Sequence, residues 1–127
     1  MELDKARVRA LGQLRGLAEV KRDADIAEME RLRMGIRAME SQIEQLEQAS
    51  IDVLAATEAP TAYQRSGKDA LWDAWRLSRV RDLTMQLAGL RADLERQGQI
   101  ARRSVGRHQV IGRLLERHGP GSKPRGY

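Results

Sequence analysis

Two apolar stripes set what this chain can fold into. The first runs through Met29, Leu32, Ile36, Met39, Ile43 and Leu46, with Val53 one heptad beyond Leu46. The second runs through Leu83, Leu87, Leu90 and Leu94, then Ala101, with Ile111 and Leu115 further on. Their steps alternate between three and four residues, the spacing of a coiled-coil seam rather than the wider apolar face of a globular-domain helix. Between them lies Ala59-Pro60-Thr61-Ala62-Tyr63-Gln64-Arg65-Ser66-Gly67. Two long helices joined by so short a break bury both seams by folding back on each other. The expected fold is all-α, an antiparallel coiled-coil hairpin.

Composition agrees with long helices. The 127 residues include no Cys, no Phe, two Trp and two Tyr. A dense round core draws on large aromatic side chains, and here they are scarce. Without Cys there is no disulfide framework, which fits a reducing cytoplasm. No run approaches the roughly 18 apolar residues of a membrane span. Met1-Glu2-Leu3-Asp4-Lys5 lacks the apolar stretch of a signal peptide.

One hairpin domain is expected over residues 1–118. Helix one covers about 3–57, the break 58–66 and helix two about 67–118, leaving 119–127 as a disordered basic tail. Pro60 disfavours helix at the residue before it. Ser66-Gly67-Lys68-Asp69 reads as a capping box opening helix two, and Gly119-Pro120-Gly121 closes it. Ahead of Met29 the stripe is imperfect: Leu3, Ala6, Ala10, Leu14, Leu17, Val20 and Ala24. Lys21 and Asp25 interrupt one continuation, so a shift of seam is expected there. The second stripe also weakens, continuing as Gln97, Ala101, Ser104, His108, Ile111 and Leu115. Both chain ends are thus poorly specified, either by fraying or because a partner completes their packing.

Charge is uneven. The net charge is +5, yet residues 96–127 hold eight Lys/Arg against one acid, Glu116. Arg102, Arg103, Arg107 and Arg113 belong to that stretch. It is either a solvated arginine-rich face or a contact surface for something acidic. Aromatics cluster too: Tyr63, Trp72 and Trp75 fall close together, the two Trp on one helix face. They either plug the hairpin end or present a recognition tip.

Enzymatic signatures fail. Ala62-Tyr63-Gln64-Arg65-Ser66-Gly67-Lys68-Asp69 imitates a phosphate-binding loop, but Asp69 stands where a hydroxyl must meet magnesium, and no strand precedes it. His108 and His118, the only histidines, have no accompanying ligand cluster. No nucleophile–base set can be placed on two helices with a pocket around it. No catalytic residue, cofactor or metal is expected, and the chain is read as a non-enzyme.

The stretch Lys21-Arg22-Asp23-Ala24-Asp25-Ile26-Ala27-Glu28-Met29, followed by Met39-Glu40-Ser41-Gln42-Ile43-Glu44-Gln45-Leu46, resembles the first helix of the FliJ/YscO group. These are central-stalk proteins of flagellar and type III secretion export. The resemblance rests on architecture and composition over most of the chain. It implies a fold similar to the coiled coil of a rotary ATPase gamma subunit. It also implies a stalk or chaperone that couples the export ATPase to the membrane export gate. On that analogy Arg102, Arg103, Arg107 and Arg113 face ATPase loops, while Tyr63, Trp72 and Trp75 face the gate. The chain would be cytoplasmic, peripheral at the inner membrane through its partners, and a monomer or weak homodimer. Two other readings stay open: a nucleic-acid-binding protein using the basic C-terminal helix, and a generic coiled-coil scaffold or dimerisation module.

Overall fold

The computed structural model describes residues 4–56 and 70–119, with side chains described over 4–49 and 70–119. It holds two helices, α1 (Lys5–Ala56) and α2 (Ala70–His118), which pack against each other; the described residues contain no strand. Asp4 caps α1, its Oδ1 accepting the Arg7 amide at 2.8 Å. At the far end of α2 the Gly119 amide donates to the Leu115 carbonyl at 2.6 Å. Val53, the capping box at 66–69, Tyr63 and the tail from Pro120 lie outside the described residues or side chains.

The chain divides into two compact units, Met1–Arg31 with Glu95–Tyr127 and Leu32–Leu94. The second unit carries the clean part of both stripes. Leu32, Ile36, Leu83 and Leu87 are buried, and Met39, Ile43, Leu46, Leu90 and Leu94 are partly buried. Leu83 keeps only 1% of its surface. Gly35 is where the helices close up: a Cβ built on it would meet Leu90 Cδ1 at 3.5 Å, ordinary van der Waals contact. Outside the seam, Arg91 reaches Glu40 at 3.2 Å.

The first unit departs from the expected pattern. Sequence periodicity places a shift of seam near Lys21 and Asp25, following Ala10, Leu14, Leu17, Val20 and Ala24. Burial instead selects Val8, Leu11, Ala18, Arg22, Asp25 and Met29. These keep the three–four alternation that continues into Leu32, with only the Arg15 position exposed. There is no stutter. Leu14, Leu17 and Val20 are 50%, 69% and 69% exposed. The register persists because the polar seam residues of α1 meet polar seam residues of α2, so Arg22 and Asp25 do not force the helix to turn away.

On α2 of this unit the weakened stripe is nonetheless the seam. Ala101 and Ser104 are buried, and Gln97, His108, Ile111 and Leu115 are partly buried. Neither helix is long and apolar enough to cross a membrane.

Candidate functional site

Two features of the first unit stand out, a buried polar cluster and an exposed basic and apolar surface. The cluster forms because seam residues of the two helices hydrogen-bond. Asp25, 6% exposed, is the only buried acid among the described residues. Its Oδ2 accepts the Ser104 hydroxyl, and Ser104 itself is 3% exposed. Its Oδ1 accepts Lys21 Nζ at 2.8 Å from one turn earlier on α1. The Gln97 side-chain amide donates to the Asp25 backbone carbonyl at 3.1 Å.

One turn away, Arg22 Nη1 lies 3.1 Å from His108 Nδ1. A guanidinium only donates, so Nδ1 accepts and the ring proton sits on Nε2. That Nε2 is buried, with no hydrogen-bond partner among the described residues. The other end of Arg22 is held by Asp23 at 2.9 Å and Glu19 at 3.5 Å.

The Lys21 hydrogen bond, followed by that of Ser104, holds the Asp25 carboxyl below the ordinary carboxylate range. Burial pushes the other way, and the Lys21 charge adds to the lowering. A carboxylate with both oxygens engaged is stabilised in its charged form. The cluster therefore holds a charged carboxylate, ion-paired to Lys21 on its own helix and tied to α2 by the Ser104 hydrogen bond. Glu28 is also lowered, through its hydrogen bond with Arg31, whose Nε stands 2.8 Å from Oε2.

The four arginines singled out by sequence, Arg102, Arg103, Arg107 and Arg113, are all exposed on α2 of this unit. At 100° per residue they spread over about 140° of the helix, so they do not form one row. Val110 and Leu114 stand among them, 52% and 37% exposed.

In the second unit Trp72 and Trp75 come together, ring centroids 5.3 Å apart and planes 25° from parallel. Trp72 is partly buried, its indole Nε1 enclosed and without a hydrogen-bond partner among the described residues. Trp75 is 53% exposed and lines a shallow recess with Gln42, Gln45, Leu46, Arg79 and Leu83. One ring thus packs on the other, the Trp72 ring partly buried and the Trp75 ring exposed. Tyr63 lies outside the described residues.

Sequence reasoning missed the Asp25 cluster. It took Lys21 and Asp25 as an interruption of an apolar stripe, and Gln97, Ser104 and His108 as weakening of another. The signal was present: polar residues fall at seam spacing on both helices, at 22 and 25 and at 97, 104 and 108.

No protein family, curated protein or solved structure matches the chain.

Proposed function

We propose that this chain is a non-enzymatic coiled-coil protein that binds another protein, its two helices running antiparallel within each unit. The direction follows from which residues meet. In the first unit Arg22, Asp25 and Met29 lie against His108, Ser104 and Gly98 in turn, so numbers rise along α1 as they fall along α2. In the second unit Gly35 neighbours Leu90, and Leu46 shares a recess with Leu83 and Arg79.

The observation that carries the binding role is the pairing of exposed arginines with exposed leucines and valines in the first unit. Most of its own seam is occupied by facing side chains, the Arg15 position excepted, and these exposed residues lie outside it, free for a partner. Large exposed apolar side chains beside charge are the usual make-up of a protein contact surface.

The architectural resemblance to the FliJ/YscO group gives the partner its most specific form. The chain is then a stalk or chaperone of a flagellar or virulence export apparatus, joining the export ATPase to the export gate. A pull-down with the intact chain from a flagellated or secreting host tests this. The ATPase or gate protein should be recovered, and Arg103→Glu with Arg107→Glu should remove the ATPase. Recovery of neither overturns the export role. Duplex DNA binding that weakens steeply with salt would favour the nucleic-acid reading instead. The spread of the arginines around α2 speaks against a single groove-facing row.

A further inference from the structure

Four exposed apolar residues of the first unit, Leu14, Leu17, Val110 and Leu114, lie on one flank of the seam, while Val20 and Ile26, also exposed, do not. Leu14 and Leu17 each stand one residue before a seam position, 15 and 18; Val110 and Leu114 each stand one before 111 and 115. So do Arg103 and Arg107, one before the seam residues Ser104 and His108. One residue is a turn of about 100° on a helix, so on each helix these six lie on the same flank of the seam.

Two antiparallel helices are related by a two-fold axis perpendicular to both. That operation keeps corresponding flanks on the same side. The flank of α1 carrying Leu14 and Leu17 therefore adjoins the flank of α2 carrying Val110 and Leu114. Counting outward from the Arg22–His108 pair, Leu14 comes level with residue 116 and Leu17 with residue 113. Leu114 and Val110 are then within about one helical turn of them. Leu14 and Leu114 flank the groove between the helices, with Leu17 and Val110 farther out on the same side, all four exposed.

Charge on this flank is mainly positive, with Glu28, one before Met29 and hydrogen-bonded to Arg31, as the acid among them. Between Arg7 and Ala24, the residues one before the seam on α1 are Arg7, Ala10, Leu14, Leu17, Lys21 and Ala24. From Ile100 to Arg117 on α2 none of the corresponding residues is acidic. The nearby acids, Glu19, Asp23 and Glu116, fall at positions on the opposite flank.

We infer that this groove docks an acidic amphipathic helix of a partner protein, which lies between α1 and α2 and completes a three-helix bundle. The inference rests on the antiparallel pairing proposed above and names the chemistry of the partner. Its apolar stripe packs on the leucines and valines, and its carboxylates meet Arg103 and Arg107. The heptad spacing of the groove matches a helix. A second copy of this chain meeting it through the same flank would bring like charge to the same place, which is repulsive. The guanidiniums interrupt the apolar stripe instead of segregating from it, unlike a helix built to lie in a membrane surface.

The test uses a labelled helical peptide of about three heptads, with Leu at seam spacing and Glu on both flanks, titrated with the full chain. A matched peptide carries Lys for Glu. The acidic peptide should bind at least about tenfold more tightly than the basic one. Arg103→Glu with Arg107→Glu should reverse that preference, and Leu17→Ser with Leu114→Ser should weaken both peptides. All four positions are exposed, so circular dichroism should show unchanged helix content in these variants. The docking proposal is overturned by equal binding of both peptides, or by binding of neither. It is overturned equally if phosphatidylserine vesicles bind while the acidic peptide does not, or if the groove variants abolish a homodimer in sedimentation. A separate readout checks the pairing beneath it. The chain has no native Cys, so Ala18→Cys with Ile111→Cys should cross-link within one chain through a short bis-maleimide. Cross-linking without peptide binding overturns the docking alone; absence of cross-linking overturns the antiparallel pairing as well.

Discussion

The Ser104 hydroxyl donates to the Asp25 carboxylate, joining α2 to α1 by a buried hydrogen bond in a polar stretch of the seam that also holds Arg22, His108 and Gln97. A polar pair in a seam costs stability relative to apolar packing but marks one alignment of the helices over others. Sliding by a heptad in one direction would leave Asp25 buried against Ile111, and in the other would set it against Gln97 in place of Ser104. We expect Asp25→Leu with Ser104→Ala to raise the unfolding free energy by about 1–4 kcal/mol, since Lys21 is exposed and can be solvated. The same change should broaden the sedimentation profile, as alternative pairings become competitive. A lower melting temperature with a single sharp species would show that the pair contributes stability rather than alignment.

The pH dependence of stability should carry the Asp25 signature. Its carboxyl is lowered in the folded chain, whereas an unfolded Asp titrates near 3.9. The contribution is therefore fully present above about pH 4 and is lost as pH falls through the lower folded value. Melting curves of the native chain and of Asp25→Asn should differ most near neutral pH. The difference should shrink below about pH 4. A constant difference down to pH 2 would show that the Asp25 charge does not contribute to stability.

Burial separates two leucines that sequence periodicity treats alike. Leu83 is 1% exposed and Leu17 is 69% exposed. Leu83→Ala should cost about 2–5 kcal/mol through lost burial and the cavity left behind. Leu17→Ala should stay within about 0.5 kcal/mol. Denaturant unfolding monitored by circular dichroism distinguishes the two, and a large loss at Leu17 would place it in a seam after all.

Glycines within α1 offer a gain. A Cβ at Gly16 meets nothing within 4 Å, so Gly16→Ala should add about 0.5–1 kcal/mol through helix propensity. At Gly35 the added methyl makes ordinary contact with Leu90, and Gly35→Ala should stabilise as well. Destabilisation at Gly35, read in the same unfolding experiment, would mean that the helices need a closer approach there.

Much of the fold was legible because a seam of Leu, Ile and Met at alternating steps has few other ways to be buried. The stripes from Leu32 to Leu46 and from Leu83 to Leu94 supply the interior of the second unit where the spacing places it. The candidate surface was legible in part: the arginines of α2 stood out by charge, and Trp72 and Trp75 by rarity. Their stacking and unequal exposure were not readable, since spacing puts two rings on one face without deciding which is covered.

The first unit marks the boundary. By itself, the sequence determined that two long helices form, that they bury heptad seams, and that the C-terminal stretch is basic. Local periodicity suffices for these, because helix propensity and 3.6-residue geometry act within a few turns. Only the tertiary structure decided which stripe of α1 is the seam. Leu14, Leu17 and Val20 make the more apolar stripe, yet Arg22 and Asp25 lie inside. Whether a polar side chain tolerates burial depends on what faces it across the interface. For Asp25 that is Ser104, 79 residues away, and nothing in the local periodicity of α1 contains that partner.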